Sequence, residues 1–558
     1  RSAPKSDESD EDLHPSRVFV GFLCGRPSAV ASFARISTPN GAPPRVMGSG
    51  SEGGAALQPG GGDFYAPLLN PDTGAYRFLI DGEWRDSASG AVVHNANPSK
   101  GNARCFGFQA CTKDEVDAAY AGAKAAQREW GQVPLHRRAS ILHAAAELMR
   151  AHHAPIADAL VKEIAKPRKD ATTEAKRSAD LIDYAAEEGS RSLAKGDMIT
   201  SDSFPGSDRD KLCMAHKVPL GVVLCIPPFN YPVNLAVSKI APALIAGNAC
   251  VVKPPTQGCV SALMMAQCFN NVPGMPKGLV QCVTGRGADI GDYMVEHPGA
   301  NCISFTGGDT GLSVSRKARM VPVQMELGGK DACIVFPDAD LDLAATAIVK
   351  GGFSYSGQRC TAVKIVVAFN EIADDLVAKV EEKVRRLTVG APEDDAQITA
   401  VVSAKSADFI QGLVEDAVAK GATMRTEWRR DQNLVWPALV DDVTDDMRLC
   451  WEEPFGPVVP IVRVSTEDDA LRYVNESKYG LQGCVFTRDI DRAIRVADRM
   501  ETGTVQINGP PARGPDHFPF QGVKDSGIGS QGIVNSIEMM TKVKSTVINL
   551  AKPSYAMA

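Results

Sequence analysis

This chain contains no Cys-x-x-Cys pair, no His-Glu-x-x-His, no long basic block and no apolar run of membrane-spanning length. Its longest apolar stretches, such as 240–252, are too short for a bilayer and are broken by Pro242, Gly247 and Asn248. A net charge of −7 and a pI near 5.8 remove the electrostatic attraction on which nonspecific nucleic-acid binding rests. The expected partner is therefore a small molecule, with no nucleic acid and no membrane. Fourteen scattered cysteines, several of them in apolar runs (Cys225, Cys250, Cys282, Cys302, Cys333), read as small hydrophobes and favour a reducing, cytoplasmic setting. No His or Cys spacing suits a metal, and His152 and His153 point to different sides of any helix, so no metal is expected.

What is present is a 558-residue chain, 44% apolar and 23% charged, long enough for two or three folded domains. Residues 1–66 stand apart: an acidic cluster at Asp7–Asp12, then Ser, Pro and Gly tracts without periodicity, read as a disordered extension. Met47 is a plausible start, and the acidity argues against a transit peptide, although plastid targeting stays open. Beyond it, strand-like runs at 221–226, 249–253, 279–283, 302–305 and 321–326 alternate with helix-like segments, which implies a doubly wound α/β sheet. A second alternating block follows from Asp331, with strands expected at 332–336, 364–369, 458–462 and 503–507. The strand-like tail 542–549 suits pairing with another subunit.

Cys360 lies in the small, polar stretch Tyr355-Ser356-Gly357-Gln358-Arg359-Cys360, where it is accessible and where Arg359 would favour a thiolate. A buried structural cysteine is the competing reading, and the local chemistry leaves the two balanced. Glu326 ends a buried strand just before Leu327-Gly328-Gly329-Lys330, as a ligand-facing carboxylate or merely as a cap. Asn230 follows another strand, as a helix N-cap or as an amide donor to an oxyanion. Lys253 closes a third strand, where a dinucleotide ribose would sit, or is simply solvated. The Gly-bearing turns at 285–287 and 305–311 suit phosphates only weakly, because their spacing is not Gly-x-Gly-x-x-Gly.

Over residues 70–550 the chain resembles the aldehyde dehydrogenase superfamily. The resemblance rests on Met325-Glu326-Leu327-Gly328-Gly329-Lys330, the box Gly357 to Cys360, and Glu452-Glu453-Pro454-Phe455-Gly456-Pro457. It implies Cys360 as nucleophile, Glu326 as base, Asn230 as oxyanion donor, and Pro227, Lys253, Thr256, Asp292, Gly307, Gly308, Leu327, Glu453 and Phe455 as cofactor contacts. Four segments, 228–235, 253–258, 357–364 and 183–189, look like the NADP-dependent, non-phosphorylating glyceraldehyde-3-phosphate dehydrogenases in particular. That group implies a substrate pocket of Arg177, Tyr231, Arg359, Thr361 and Arg513, with guanidinium forks suited to a phosphate. Thr256 bears on the cofactor, since a neutral hydroxyl tolerates the 2′-phosphate of NADP where an acid would repel it. Gly308 and Asp309 depart from the Ser-Thr common in that turn.

The implied architecture is a dinucleotide-binding domain (67–193 and 217–326), a catalytic domain (327–529) and an oligomerisation element (194–216 and 530–558), assembled as a homotetramer or dimer. The expected reaction is oxidation of glyceraldehyde 3-phosphate through a Cys360 thioester that water hydrolyses. A semialdehyde or betaine aldehyde dehydrogenase, a catalytically silent scaffold and a cofactor-free cysteine hydrolase are the rivals. The first would not need so many phosphate-binding groups, the second would not keep Cys360, Glu326 and Asn230, and the third lacks a placed histidine.

Overall fold

The computed structural model describes residues 64–550. The N-terminal extension therefore lies, up to residue 63, outside the described residues. Residues 64–66, expected to belong to that extension, are packed instead: Tyr65 is buried and Phe64 stacks on His152 at 3.7 Å between ring centroids.

The first large sheet has eight strands. Its parallel centre runs in the order Val280–Cys282, Ala249–Val252, Val222–Ile226, Cys302–Thr306, Val323–Glu326. These strands are apolar almost throughout because helices cover both faces, so no side has to be polar. Asn234–Ile245, one of the covering helices, is buried along its whole length, which makes its single charge, Lys239, conspicuous. Another, Lys113–Trp130, starts at a capping box in which Thr112 and Glu115 satisfy each other's backbone N–H groups. Short antiparallel strands extend the sheet: Phe78–Ile80, within a strand-like run at 76–80, pairs with Glu83–Arg85 on one side, and Gly527–Ile528 lies on the other.

The chain leaves this sheet at Glu326 and enters the second at Ala332. The second sheet is ordered Thr423–Met424, Ala438–Asp441, Val458–Val464, Ile365–Phe369, Ala332–Val335, Gln482–Phe486, Thr504–Ile507. Four of these strands fall where expected. Gln482–Phe486, which separates two of them, escaped the pattern because its Gln-Gly start dilutes a short apolar run.

A third, three-stranded antiparallel sheet joins Gly196–Thr200, Lys211–Pro219 and Thr541–Asn549. It leaves Met198, Ile199, Val543 and Val547 exposed. The segment before its last strand differs from the expected oligomerisation element. Helix Ile533–Met539 packs on Asn234–Ile245, and Ile533 and Ile537 join the core beneath the first sheet. No helix among the described residues is long and apolar enough to cross a membrane.

Candidate active site

Cys360 lies between the helix Leu341–Phe353 and the strand Ile365–Phe369. The turn that presents it is unusual: Tyr355, Ser356 and Gly357 all have positive φ, at 52°, 53° and 68°. A Cβ on Gly357 would come within 2.1 Å of the Gly456 carbonyl oxygen, so only glycine fits. Ser356 anchors the turn, its Oγ donating to Thr399 O at 2.9 Å and accepting from Thr399 N at 2.8 Å. The sulfur that emerges donates to Glu326 Oε1 at 2.9 Å.

Glu326, 1% exposed, binds Arg513 Nη1 through its other oxygen at 2.7 Å. Behind that oxygen Thr306 Oγ1 donates at 3.4 Å and in turn accepts from Lys239 Nζ at 2.7 Å. Burial pushes the Cys360 thiol well above its ordinary range, and the Glu326 charge and hydrogen bond push it further, while Lys364 and Arg513 oppose them. The resting thiol is thus protonated and its proton already points at a carboxylate. Arg359 does not play the part its position suggests. Its Nη2 donates to Gly351 O at 2.8 Å, and the cations acting on the sulfur are Lys364 and Arg513.

Asn230 is buried, and its Nδ2 donates to Gln358 O at 2.8 Å. A carboxamide nitrogen carries two hydrogens, so one remains for an oxyanion at Cys360. The helix-cap alternative fails, because the first N–H groups at Val233 and Asn234 donate instead to Glu174 Oε1, at 3.0 and 3.1 Å. Cys360 and Asn230 share a cavity of about 500 Å³ with Gly307, Gly308, Leu327, Glu453 and Phe455. The rings of Phe229 and Phe455 meet edge to face across it, 5.7 Å apart. Lys364 donates to Cys360 O and pairs with Glu453 Oε1 at 2.9 Å. Glu453 can lie this close only because Gly328 has no Cβ, which would stand 2.2 Å from its Oε2. A larger cleft, about 590 Å³, lies behind Tyr355 and includes neither Cys360 nor Glu326.

Residues 84–546 match the model of the aldehyde dehydrogenase family. The chain belongs to the aldehyde dehydrogenase family. Among curated proteins it is 62% identical over 493 residues to an NADP-dependent glyceraldehyde-3-phosphate dehydrogenase of Triticum aestivum, covering 88% of this chain and 99% of that protein. A protein of the same name from Streptococcus equinus is 48% identical over 86% of this chain and its own full length. Among solved structures, the NADP-dependent glyceraldehyde-3-phosphate dehydrogenase of Bacillus halodurans complexed with NADP superposes with a TM-score of 0.84 at 49% identity, over 86% of this chain and all of that one. A Staphylococcus aureus betaine aldehyde dehydrogenase with NAD+ superposes almost as well, TM-score 0.80 at 30% identity over 85% of this chain and 98% of that one. The fold of an aldehyde dehydrogenase thus does not select the aldehyde.

The remaining sequence candidates of this aldehyde dehydrogenase divide by position. Lys253 is buried and donates to Pro254 O and Gly285 O, both at 2.9 Å, so it is no solvated surface charge; burial lowers its ammonium from the usual lysine range. Thr256 lies half-buried just beyond, and Pro227 is buried next to the cavity-lining Pro228. Asp292 is largely exposed and paired with Lys317, away from the cavity, which gives no support to a cofactor contact there. Of the phosphate set, Arg177 and Arg513 are neighbours. Arg177 Nη2 donates to Arg513 O at 3.1 Å and its fork is closed on Asp516 at 2.6 and 2.8 Å, while the Tyr231 ring meets Tyr355 edge to face at 6.1 Å. Arg359 makes no hydrogen bond or ion pair with them among the described residues, and Thr361 is buried beside Cys360.

Lys166, Glu174, Lys239, Lys364 and Asp516 were not singled out by sequence reasoning. For Lys239 and Lys364 a signal existed, a lone cation inside an apolar run. For Lys166 and Glu174 none did, since charges surround them on the long helix Arg168–Ser192 and its approach.

Proposed function

We propose that this aldehyde dehydrogenase oxidises D-glyceraldehyde 3-phosphate to 3-phosphoglycerate, with NADP as acceptor and water rather than inorganic phosphate releasing the product. The observation that carries the mechanism is the continuous chain Cys360 Sγ, Glu326, Arg513, which ties a nucleophile and its proton acceptor to a guanidinium. Supporting the substrate are the relatives of that name, matched over nearly their whole length. Supporting the cofactor are the buried Lys253 with Thr256 beside it and no carboxylate to repel a 2′-phosphate at that position. Gly308, around which a Cβ would meet nothing within 4 Å, leaves a bare backbone turn at the cavity wall.

Attack begins when the Cys360 proton passes to Glu326 and the sulfur bonds the aldehyde carbon. The free Asn230 hydrogen and the Cys360 backbone N–H receive the oxyanion. NADP, when bound, accepts the hydride lost by that carbon. Glu326 gives up the thiol's proton to solvent, and water then attacks the thioester left on Cys360 as it passes a proton to Glu326; the carbon–sulfur bond breaks, that proton returns to the sulfur, and the acid loses its own proton to leave as the carboxylate product. Arg177, Tyr231 and Arg513 hold the substrate phosphate, which requires Arg177 to exchange Asp516 for it. Hydrolysis makes the reaction irreversible. A cytoplasmic location and a homotetramer or dimer complete the reading, the latter supported by the exposed apolar residues of the third sheet.

The test is NADPH formation from glyceraldehyde 3-phosphate with and without inorganic phosphate. Equal rates are expected; dependence on phosphate would remove water from the deacylation step.

A further inference from the structure

Lys166 and Glu174 form an ion pair with both side chains fully buried, close to the site yet facing neither cavity nor sulfur. Taking both charges out of water is costly, and an apolar pair of equal volume would serve stability as well, so their retention calls for another reason. The reason lies in what the ammonium touches. Besides Glu174 it donates to the backbone carbonyl of Asn230 at 2.7 Å and lies over the rings of Tyr231, at 3.4 Å, and Tyr355, at 4.6 Å. Glu174 meanwhile binds the N–H groups of Val233 and Asn234, fixing the start of the helix that follows Asn230.

One ammonium thus holds the main chain of the oxyanion donor, the face of a phosphate-binding tyrosine and the first residue of the left-handed turn that leads to Cys360. The side chain of Asn230 is tied to the same turn from the other side, through Gln358 O. We infer that Lys166, neutralised by Glu174, is a positioning residue that sets the register between Asn230 and Cys360, and with it the fit of the oxyanion. The inference rests on the thioester mechanism above.

The test uses the full chain carrying Lys166→Met together with Glu174→Gln. This pair removes both charges at similar volume and keeps an oxygen for the helix start, so no buried charge is left unpaired. The pre-steady-state burst of NADPH should slow by about 10- to 100-fold, the scale of a misplacement near an ångström. Alkylation of Cys360 by iodoacetamide, which needs no oxyanion donor, should keep its wild-type rate, as should the affinity for NADP. Glu174→Gln alone, which retains the cation, should slow the burst in the same direction by about threefold to tenfold, and it decides the matter if the double variant does not fold. A burst within twofold of wild type, or alkylation falling in parallel with the burst, overturns the inference. Absence of any NADPH formation by the wild-type enzyme with glyceraldehyde 3-phosphate would instead sink the substrate assignment, and the variants would then be compared on whichever aldehyde it does oxidise.

Discussion

The first sheet delivers Glu326, Thr306, Lys253 and the turn bearing Asn230 from the carboxyl ends of its strands, whereas the second delivers Cys360 and Glu453 from segments that precede its strands. The cause is topological. The chain passes from Glu326 to Ala332 through five residues, 327–331, so it leaves one sheet by its carboxyl edge and enters the next by its amino edge. The rule that ligands of parallel sheets sit at the strands' carboxyl ends accounts for the first set and is silent on the second. The division is also chemical. The first sheet supplies proton acceptor, oxyanion donor and cofactor support; the second supplies the atom that bonds carbon.

That division can be broken by experiment. Cys360→Ser, on the second sheet, should abolish both burst and turnover, with kcat lowered by about 10⁴-fold or more and an unchanged melting temperature; a surviving burst would mean that the nucleophile lies elsewhere. Glu326→Gln, on the first, should lower steady-state turnover by about 10²- to 10³-fold and slow the burst by less, because the thiol can lose its proton to solvent whereas the attacking water has no other base. Equal losses in both phases would merge the two roles. Thr256→Glu, further along the first sheet, should raise KM for NADP by about 10- to 100-fold with little change for NAD, read from initial rates with each cofactor.

A smaller effect sharpens the comparison at the point where the sheets touch. Because the Cys360 thiol is raised well above 9.0, its reactive thiolate appears only as pH rises, so alkylation by iodoacetamide should still be climbing at pH 9. Glu326→Gln removes the negative charge that holds the proton on sulfur and should move that curve to lower pH. An unmoved curve would show that burial alone sets the thiol.

The same contrast explains how much could be read from sequence. Parallel strands buried on both faces announce themselves as apolar runs, which is why the centre of the first sheet was legible to within a residue or two at each end. Gln482–Phe486 was not, being short and starting Gln-Gly. On the first sheet Glu326 and Asn230 stood at strand ends that point to ligands, yet each kept a bland reading until the hydrogen bonds removed it. Cys360, preceding its strand, had no such rule to support it and was assigned by motif. The influence of Arg359 on the sulfur was read from adjacency in sequence, which says nothing of direction once three successive left-handed residues turn the backbone. Lys166 and Glu174 were invisible for a different reason: eight residues apart on a charged stretch, they look like any solvated pair until tertiary packing buries them.

Lys364 gives the contact between sheets a last consequence. Its single ammonium hydrogen-bonds the main chain of the nucleophile and pairs with the Glu453 carboxylate. Any pull on that carboxylate by an arriving dinucleotide is therefore felt at the sulfur's own backbone, so the enzyme's two ligands cannot be accommodated independently.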